Sequence, residues 1–148
     1  LQGWSSEFDA IAFGDLYCND IVEFRQKVFA DTDIECVFPL LIDTNLTQSR
    51  QVAEDIVQSG IQAILQSINL KHLDESFCGK TYDLELLDKL PSEVDSCGEV
   101  GEFHSFVYNA PFFKRKITLE MLEQEPQYYH HGSDMNMLVQ KFSGKLTC

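Results

Sequence analysis

From Ser96 to Phe106 the chain reads SCGEVGEFHSF, which sets one thiol, two carboxylates, one imidazole and two glycines in eleven residues. On an extended strand, Glu102 and His104 lie two apart and share a face, while Phe103 and Val107 point the other way. Glu99 precedes them closely enough to converge on the same place. Gly98 and Gly101 permit backbone torsions that let a ligand lie against the main chain. Four readings follow. Cys97 with His104 is a thiolate and its base. Glu99, Glu102 and His104, with His130 or His131, are ligands for a metal. The same groups orient a polar substrate beside an activated phosphate. Or the stretch is a glycine turn with solvated acids and one histidine. Residue types alone leave these open.

A second candidate lies at Gly14-Asp15, where strand-like sequence ends. Open α/β sheets place ligands at the carboxyl ends of their strands, although an aspartate there also serves as a plain helix-entry cap. Other chemistry-bearing residues read as ordinary. Adjacent His130 and His131 on an extended chain face opposite ways. Cys18 and Cys148 read as incidental thiols. Lys114, Arg115 and Lys116 form the one basic cluster and read as charge guarding a strand edge.

The elements around these residues follow from periodicity. Residues 9–17 read as a short buried strand and 19–30 as a helix capped by Asn19 or Asp20, with Ile21, Phe24 and Val28 on its inward face. Residues 36–41 read as a strand. Residues 43–60 read as a helix with Leu46, Ala53, Ile56 and Val57 inward and Gly60 as its stop. Residues 61–70 read as the next strand, and this alternation predicts an α/β fold with parallel strands. After a loop, residues 83–90 read as a short helix ended by Pro91, 104–109 and 112–122 as strands, 125–134 as a loop and 137–144 as a last strand. The second half is therefore mixed α+β.

With 148 residues the chain has the length of one ordinary domain. Its 24 acidic against 11 basic side chains give a net charge of -13, which repels phosphate backbones and argues against nucleic-acid binding. Five widely spaced cysteines without a C-x-x-C pair argue against a disulfide scaffold or zinc finger and for a reducing, cytoplasmic setting. No apolar run reaches membrane-spanning length. The chain opens on Leu1 rather than Met, as a fragment or processed product would.

Several stretches in one order carry a resemblance. CGEVGEFHSFV (97–107) followed by NAPFF (109–113) resembles a signature of the diphthine–ammonia ligase family, PP-loop ATP pyrophosphatases of the adenine-nucleotide α-hydrolase type. AFGDLYCNDIVEFR (12–25), VFPL (37–40), LDESFCGK (73–80) and LPSEVDSCGE (90–99) are similar to further segments of that family. The resemblance spans residues 9–113. It implies the end of a parallel, HUP-type nucleotide-binding sheet over 1–33 and a mixed α+β substrate-side domain over 34–148. It implies use of ATP and magnesium to adenylate the carboxylate of diphthine on elongation factor 2, followed by attack of ammonia. Gly14 and Asp15 would line the nucleotide side. Asp20, Arg25, Asp74, Ser76, Gly98 and Gly101 would bind substrate, and Glu99, Glu102 and His104 would do the chemistry.

The chain also departs from the family. It contains no serine-glycine-glycine-lysine-aspartate-serine loop to grip phosphate. Leu41 replaces a tryptophan, Ser96 a proline, and Asn109-Ala110 an Asp-Gly pair. A non-catalytic binding module and a metal-dependent hydrolase built on Glu99, Glu102 and His104 are the alternatives. Either a homo-oligomer or a partner chain supplying the missing region is expected, because a severed sheet exposes apolar surface.

Overall fold

A computed structural model describes residues 8–17, 19–42, 46–131 and 133–146. The chain divides into two compact units, Leu1–Gln48 and Ser49–Cys148. The fold is of the α/β class, with a two-stranded parallel sheet in the first unit and a four-stranded antiparallel sheet in the second.

The first unit is a small β-α-β. Strand β1 (Ala10–Ala12) pairs in parallel with β2 (Glu35–Val37), and helix α1 (Asn19–Phe29) makes the crossover. Asp20 in the first turn and Lys27 in the last complement the helix dipole. The face of α1 differs from expectation. Ile21, Phe24 and Val28 are 41%, 61% and 41% exposed, and the half-buried positions are Val22, Arg25 and Phe29. The helix is rotated by one residue because Phe29 and Arg25 close over Phe13. The two phenyl rings lie 6.0 Å apart, and the Arg25 guanidinium sits 4.5 Å above the Phe13 ring. Phe13 also stacks on Phe38 at 5.5 Å.

Most of helix α2 (Leu46–Gln58) belongs to the second unit. Ala53 is buried and Ile56 and Val57 pack on the core, as the helical spacing predicts, but Leu46 is 43% exposed and Ser49, not expected inward, is buried. The expected cap at Thr44 or Asn45 lies outside the described residues. Gly60, at φ +86°, ends the turn as expected. Strand β3 (Gln62–Asn69) then runs through the middle of the core with both faces covered. Leu65 and Ile68 are fully buried, each contributing about 1.5–3 kcal/mol by leaving water. A single 3-10 turn (Glu75–Phe77) and helix α3 (Leu84–Lys89), capped by Asp83, follow. The sheet is completed by β4 (Phe103–Asn109), β5 (Ile117–His131) and β6 (Ser133–Leu146) in the order β4-β3-β6-β5.

Three expectations are corrected here. β3 does not continue a parallel sheet; it pairs antiparallel with β4 and β6. Residues 125–134 are not a loop but the end of β5 and the start of β6, paired from Glu125–Val139 to His131–Ser133. Residues 112–116 are turn and bend, not strand. Phe113 N–H closes a turn on Ala110 O at 2.9 Å, and Pro111 lies against Gly60.

Candidate functional site

The connection from α3 to β4 is held by two buried carboxylates. Glu102 is 3% exposed. Its Oε1 accepts the backbone N–H of Asp95 at 3.1 Å and its Oε2 accepts that of Val100 at 3.0 Å. The main-chain oxygen of Glu102 accepts Asn69 N–H at 2.8 Å. Asp95 is fully buried. Its Oδ1 accepts from Ser49 Oγ at 2.6 Å and from the Cys97 N–H at 2.7 Å. Burial pushes the Asp95 carboxyl above the ordinary range; the Cys97 N–H draws it down and the neighbouring Glu102 charge adds to the rise. Tyr82 Oη donates to Ser96 O at 2.7 Å, so α2, β3 and the segment before α3 all reach the loop.

Gly98 and Gly101 adopt φ of +74° and +89°. A Cβ at Gly98 would come within 2.9 Å of the Phe103 ring and carbonyl, so glycine is required there on two counts. The result is a short, tightly wound loop whose outward residues are Glu99 and Val100.

The placement of the expected site residues is therefore uneven. Gly98, Glu99, Gly101 and Glu102 share one loop. Glu102 precedes the start of β4 and turns inward, whereas His104 is exposed opposite Ser67. The expected common face for these two side chains is not formed, because the strand begins at Phe103. Among the described residues no group of three or more His, Cys, Asp or Glu is gathered to hold a metal ion. Among the described residues Glu99, Glu102 and His104 are therefore not gathered as a ligand set. Cys97 donates from Sγ to Ser49 O at 3.4 Å, and burial pushes its thiol up, which suits a packed neighbour rather than a nucleophile. The side chains of His130 and His131 lie outside the description.

Asp74 and Ser76 stand on the connection after β3. Asp74 caps the 3-10 turn by accepting Ser76 N–H at 2.8 Å, and the Ser76 hydrogen bonds hold its carboxyl below the ordinary range. Ser76 lines a cavity of about 380 Å³ together with Lys80, Thr81, Asp83, Glu85 and Lys89.

In the first unit, Gly14 has open space around it, with nothing within 4 Å of an added Cβ. Arg25 Nε and Nη2 donate to the two oxygens of Asp15 at 3.1 and 3.3 Å. The Asp15 carboxylate is thus held on the Arg25 guanidinium. The bare main chain at Gly14 fits the close approach of a ligand. Asp20 is exposed in the first turn of α1.

Sequence reasoning missed Asp95, Ser49 and Tyr82. Asp95 carried a readable signal, because an aspartate bonding the N–H two residues on is an Asx turn. Ser49 and Tyr82 gave none, since their partners are distant in the chain.

The diphthamide synthase C-terminal domain family matches residues 48–142, nearly the whole described second unit. The diphthine–ammonia ligase of Schizosaccharomyces pombe (strain 972) is 35% identical over 74 residues, covering 47% of this chain and 12% of that protein. The diphthine–ammonia ligase of Bos taurus is 35% identical over 77 residues, covering 47% of this chain and 28% of that protein. The chain therefore spans well under a third of the length of these curated relatives. No helix among the described residues is long and apolar enough to cross a membrane.

Proposed function

The chain belongs to the diphthamide synthase C-terminal domain family, and from that premise we propose that it forms the acceptor side of an ATP-dependent amide ligase. The substrate class is a carboxylate-bearing acceptor, diphthine on elongation factor 2, with ammonia as the nucleophile. ATP supplies the leaving group: the acceptor carboxylate attacks the α-phosphorus, pyrophosphate departs, and ammonia then displaces AMP from the acyl carbon. We place the nucleotide side at residues 1–33, through the open main chain at Gly14, and the acceptor side at 34–148, in a cytoplasmic setting.

The observation that carries this reading is the wound loop of residues 95–102, which lies inside the family-matched segment and turns one carboxylate outward while locking another within. Glu99 holds an ammonium and takes its proton, which frees the ammonia that then attacks the acyl carbon. His104 supports the same face of the acceptor. Glu102 acts through the loop: with both oxygens engaged by backbone N–H groups, it sets where Glu99 stands. Asp15 and Arg25, tied to each other, shape the edge of the nucleotide side.

The test is to supply the chain with ATP, magnesium, ammonium and diphthine-bearing elongation factor 2, and to follow AMP release with amide formation. Glu99→Gln should slow turnover by about 10²–10⁴-fold, the range of a lost proton-transfer group. If the unaltered chain releases no AMP and calorimetry detects no nucleotide binding, the chain is a non-catalytic module.

A further inference from the structure

A cavity of about 530 Å³ opens where the β5–β6 hairpin leaves β3. Strand β6 pairs with β3 only at Ser67–Asn69. Further back, β3 is joined by residues 79–82 instead. Gly79 N–H donates to Leu65 O, Leu65 N–H to Lys80 O and Tyr82 N–H to Ala63 O, at 2.8, 2.8 and 2.9 Å. Two amides pin the fork. Gln140 Nε2 donates to Leu122 O and to Lys141 O, each at 2.8 Å. Gln124 Nε2 donates to Cys78 O and to Gln140 Oε1, each at 3.1 Å. A Cβ at Gly79 would come within 2.7 Å of Gln140 Oε1, so glycine is what admits this buried amide. The arm Ile117–Met121, paired with Phe142–Leu146 below the irregularity in β5, thus stands off from β3.

The lining is graded. Ile64, Ile117, Leu119 and Met121 supply an aliphatic wall. Ile64 is buried but is not part of the main core cluster. At the start of β5 the Lys116 ammonium lies 5.3 Å from the centre of the Tyr108 ring, and both line the cavity. Thr81 and Thr118 add hydroxyl donors. None of the described lining residues is acidic, although the chain carries 24 acidic side chains. From Lys116 to Met121 the lining runs five residues along the chain, roughly 17 Å, which accommodates an extended chain of about ten carbons. Tyr108 stands five residues along β4 from Phe103, so the cavity lies roughly 17 Å from the end of the wound loop.

We propose that this cavity is a second binding site, separate from that loop, for an amphipathic monocarboxylate: an acyl chain along Ile64, Leu119 and Met121, with its carboxylate on Lys116 and the threonine hydroxyls. The volume and the mostly apolar wall with a few polar groups suit a small-molecule site. The net charge of -13 works against an anion at long range, so its capture rests on the local lysine.

Titration of the full chain with decanoate below its micelle-forming concentration tests this, followed through the methyl NMR signals of isoleucine, leucine and methionine, with circular dichroism to verify each fold. Saturable shifts are expected at Ile64, Ile117, Leu119 and Met121, in the low-millimolar range or tighter for a ligand of about a dozen heavy atoms. Decylamine, which the overall charge favours, should bind more weakly at these methyls. Lys116→Gln should weaken decanoate about tenfold or more, and Lys116→Arg should retain it. Absence of saturable shifts overturns the proposal. So do shifts centred on Ile21 and Val28 of α1, decylamine binding as tightly as decanoate, or indifference to Lys116→Gln. If Lys116→Gln does not fold, Thr118→Glu decides, because a carboxylate in the lining should abolish decanoate binding, and unchanged binding would overturn the site.

Discussion

Glu102 spans the loop before β4 by binding Asp95 N–H with one carboxylate oxygen and Val100 N–H with the other, at 3.1 and 3.0 Å. Two main-chain donors that would otherwise be buried without acceptors are satisfied by one side chain. Glu102→Gln retains one acceptor and places an amide nitrogen where the other stood, against a backbone donor. We predict a loss of about 1–3 kcal/mol. It is read as a lower urea midpoint at unchanged slope, with faster hydrogen exchange at Val100 or Asp95. Unchanged exchange at both amides would count against the staple.

The Asp95 carboxyl gives a pH signature. Burial holds it above its ordinary value of 3.8, so the folded chain binds this proton more tightly than the unfolded chain. Between the unfolded value and the raised folded value the native state carries the extra proton, and stability falls as pH rises through that window. Above the window the cost persists in full. Asp95→Asn removes the charge and keeps Oδ1 for Ser49 and Cys97. Its urea midpoints should therefore decline less than those of the parent as pH rises above the ordinary value of 3.8. Two parallel curves would sink the assignment.

The two glycines of the loop should not respond alike to alanine. Both lie at positive φ, which costs an alanine about 1–2 kcal/mol. At Gly101 the added Cβ meets only Met135, at an ordinary 3.5 Å, whereas at Gly98 it collides with Phe103 at 2.9 Å. Gly98→Ala should thus lose clearly more stability than Gly101→Ala in thermal unfolding, and the reverse order would contradict the loop's geometry.

Cys78 is buried, donates to Leu138 O at 3.5 Å, and has its thiol pushed up to about 11 by burial. At pH 8 about one molecule in a thousand carries the reactive thiolate. Iodoacetamide should therefore leave Cys78 unmodified in the folded chain and label it at once in urea, as followed by peptide mass analysis. Labelling at equal rates in both states would show that the site is open.

The helices and the central strand were legible because each has a strong local signal. Helical periodicity found α1, α2 and α3 within a few residues, and residues 61–70 read as a strand, although as part of a parallel sheet. The face of α1 was not legible, since Arg25 buries its stem on Phe13 and no apolar count includes arginine. The β5–β6 hairpin was misread where its sequence, Glu125 to Asp134, is almost wholly polar and aromatic, for no alternation of apolar and polar residues marks a strand there. At the candidate site, the residue types of the loop were evident, and so was the need for glycine. Which carboxylate turned inward was not, because it depends on main-chain donors that converge only after the loop has closed.

Strand β6 is shared unequally between its two neighbours. It runs beside β5 from Ser133 to Leu146 but meets β3 only from Met137 to Val139. Nearly all the backbone partners of the hairpin are near in sequence, so it can zip on the timescale of a local event. Its attachment to Ser67–Asn69 joins segments some seventy residues apart and must wait for a slow chain-wide search. That three-residue seam is the longest-range strand pairing of the second unit, so closing it costs more chain entropy than zipping the arm it secures.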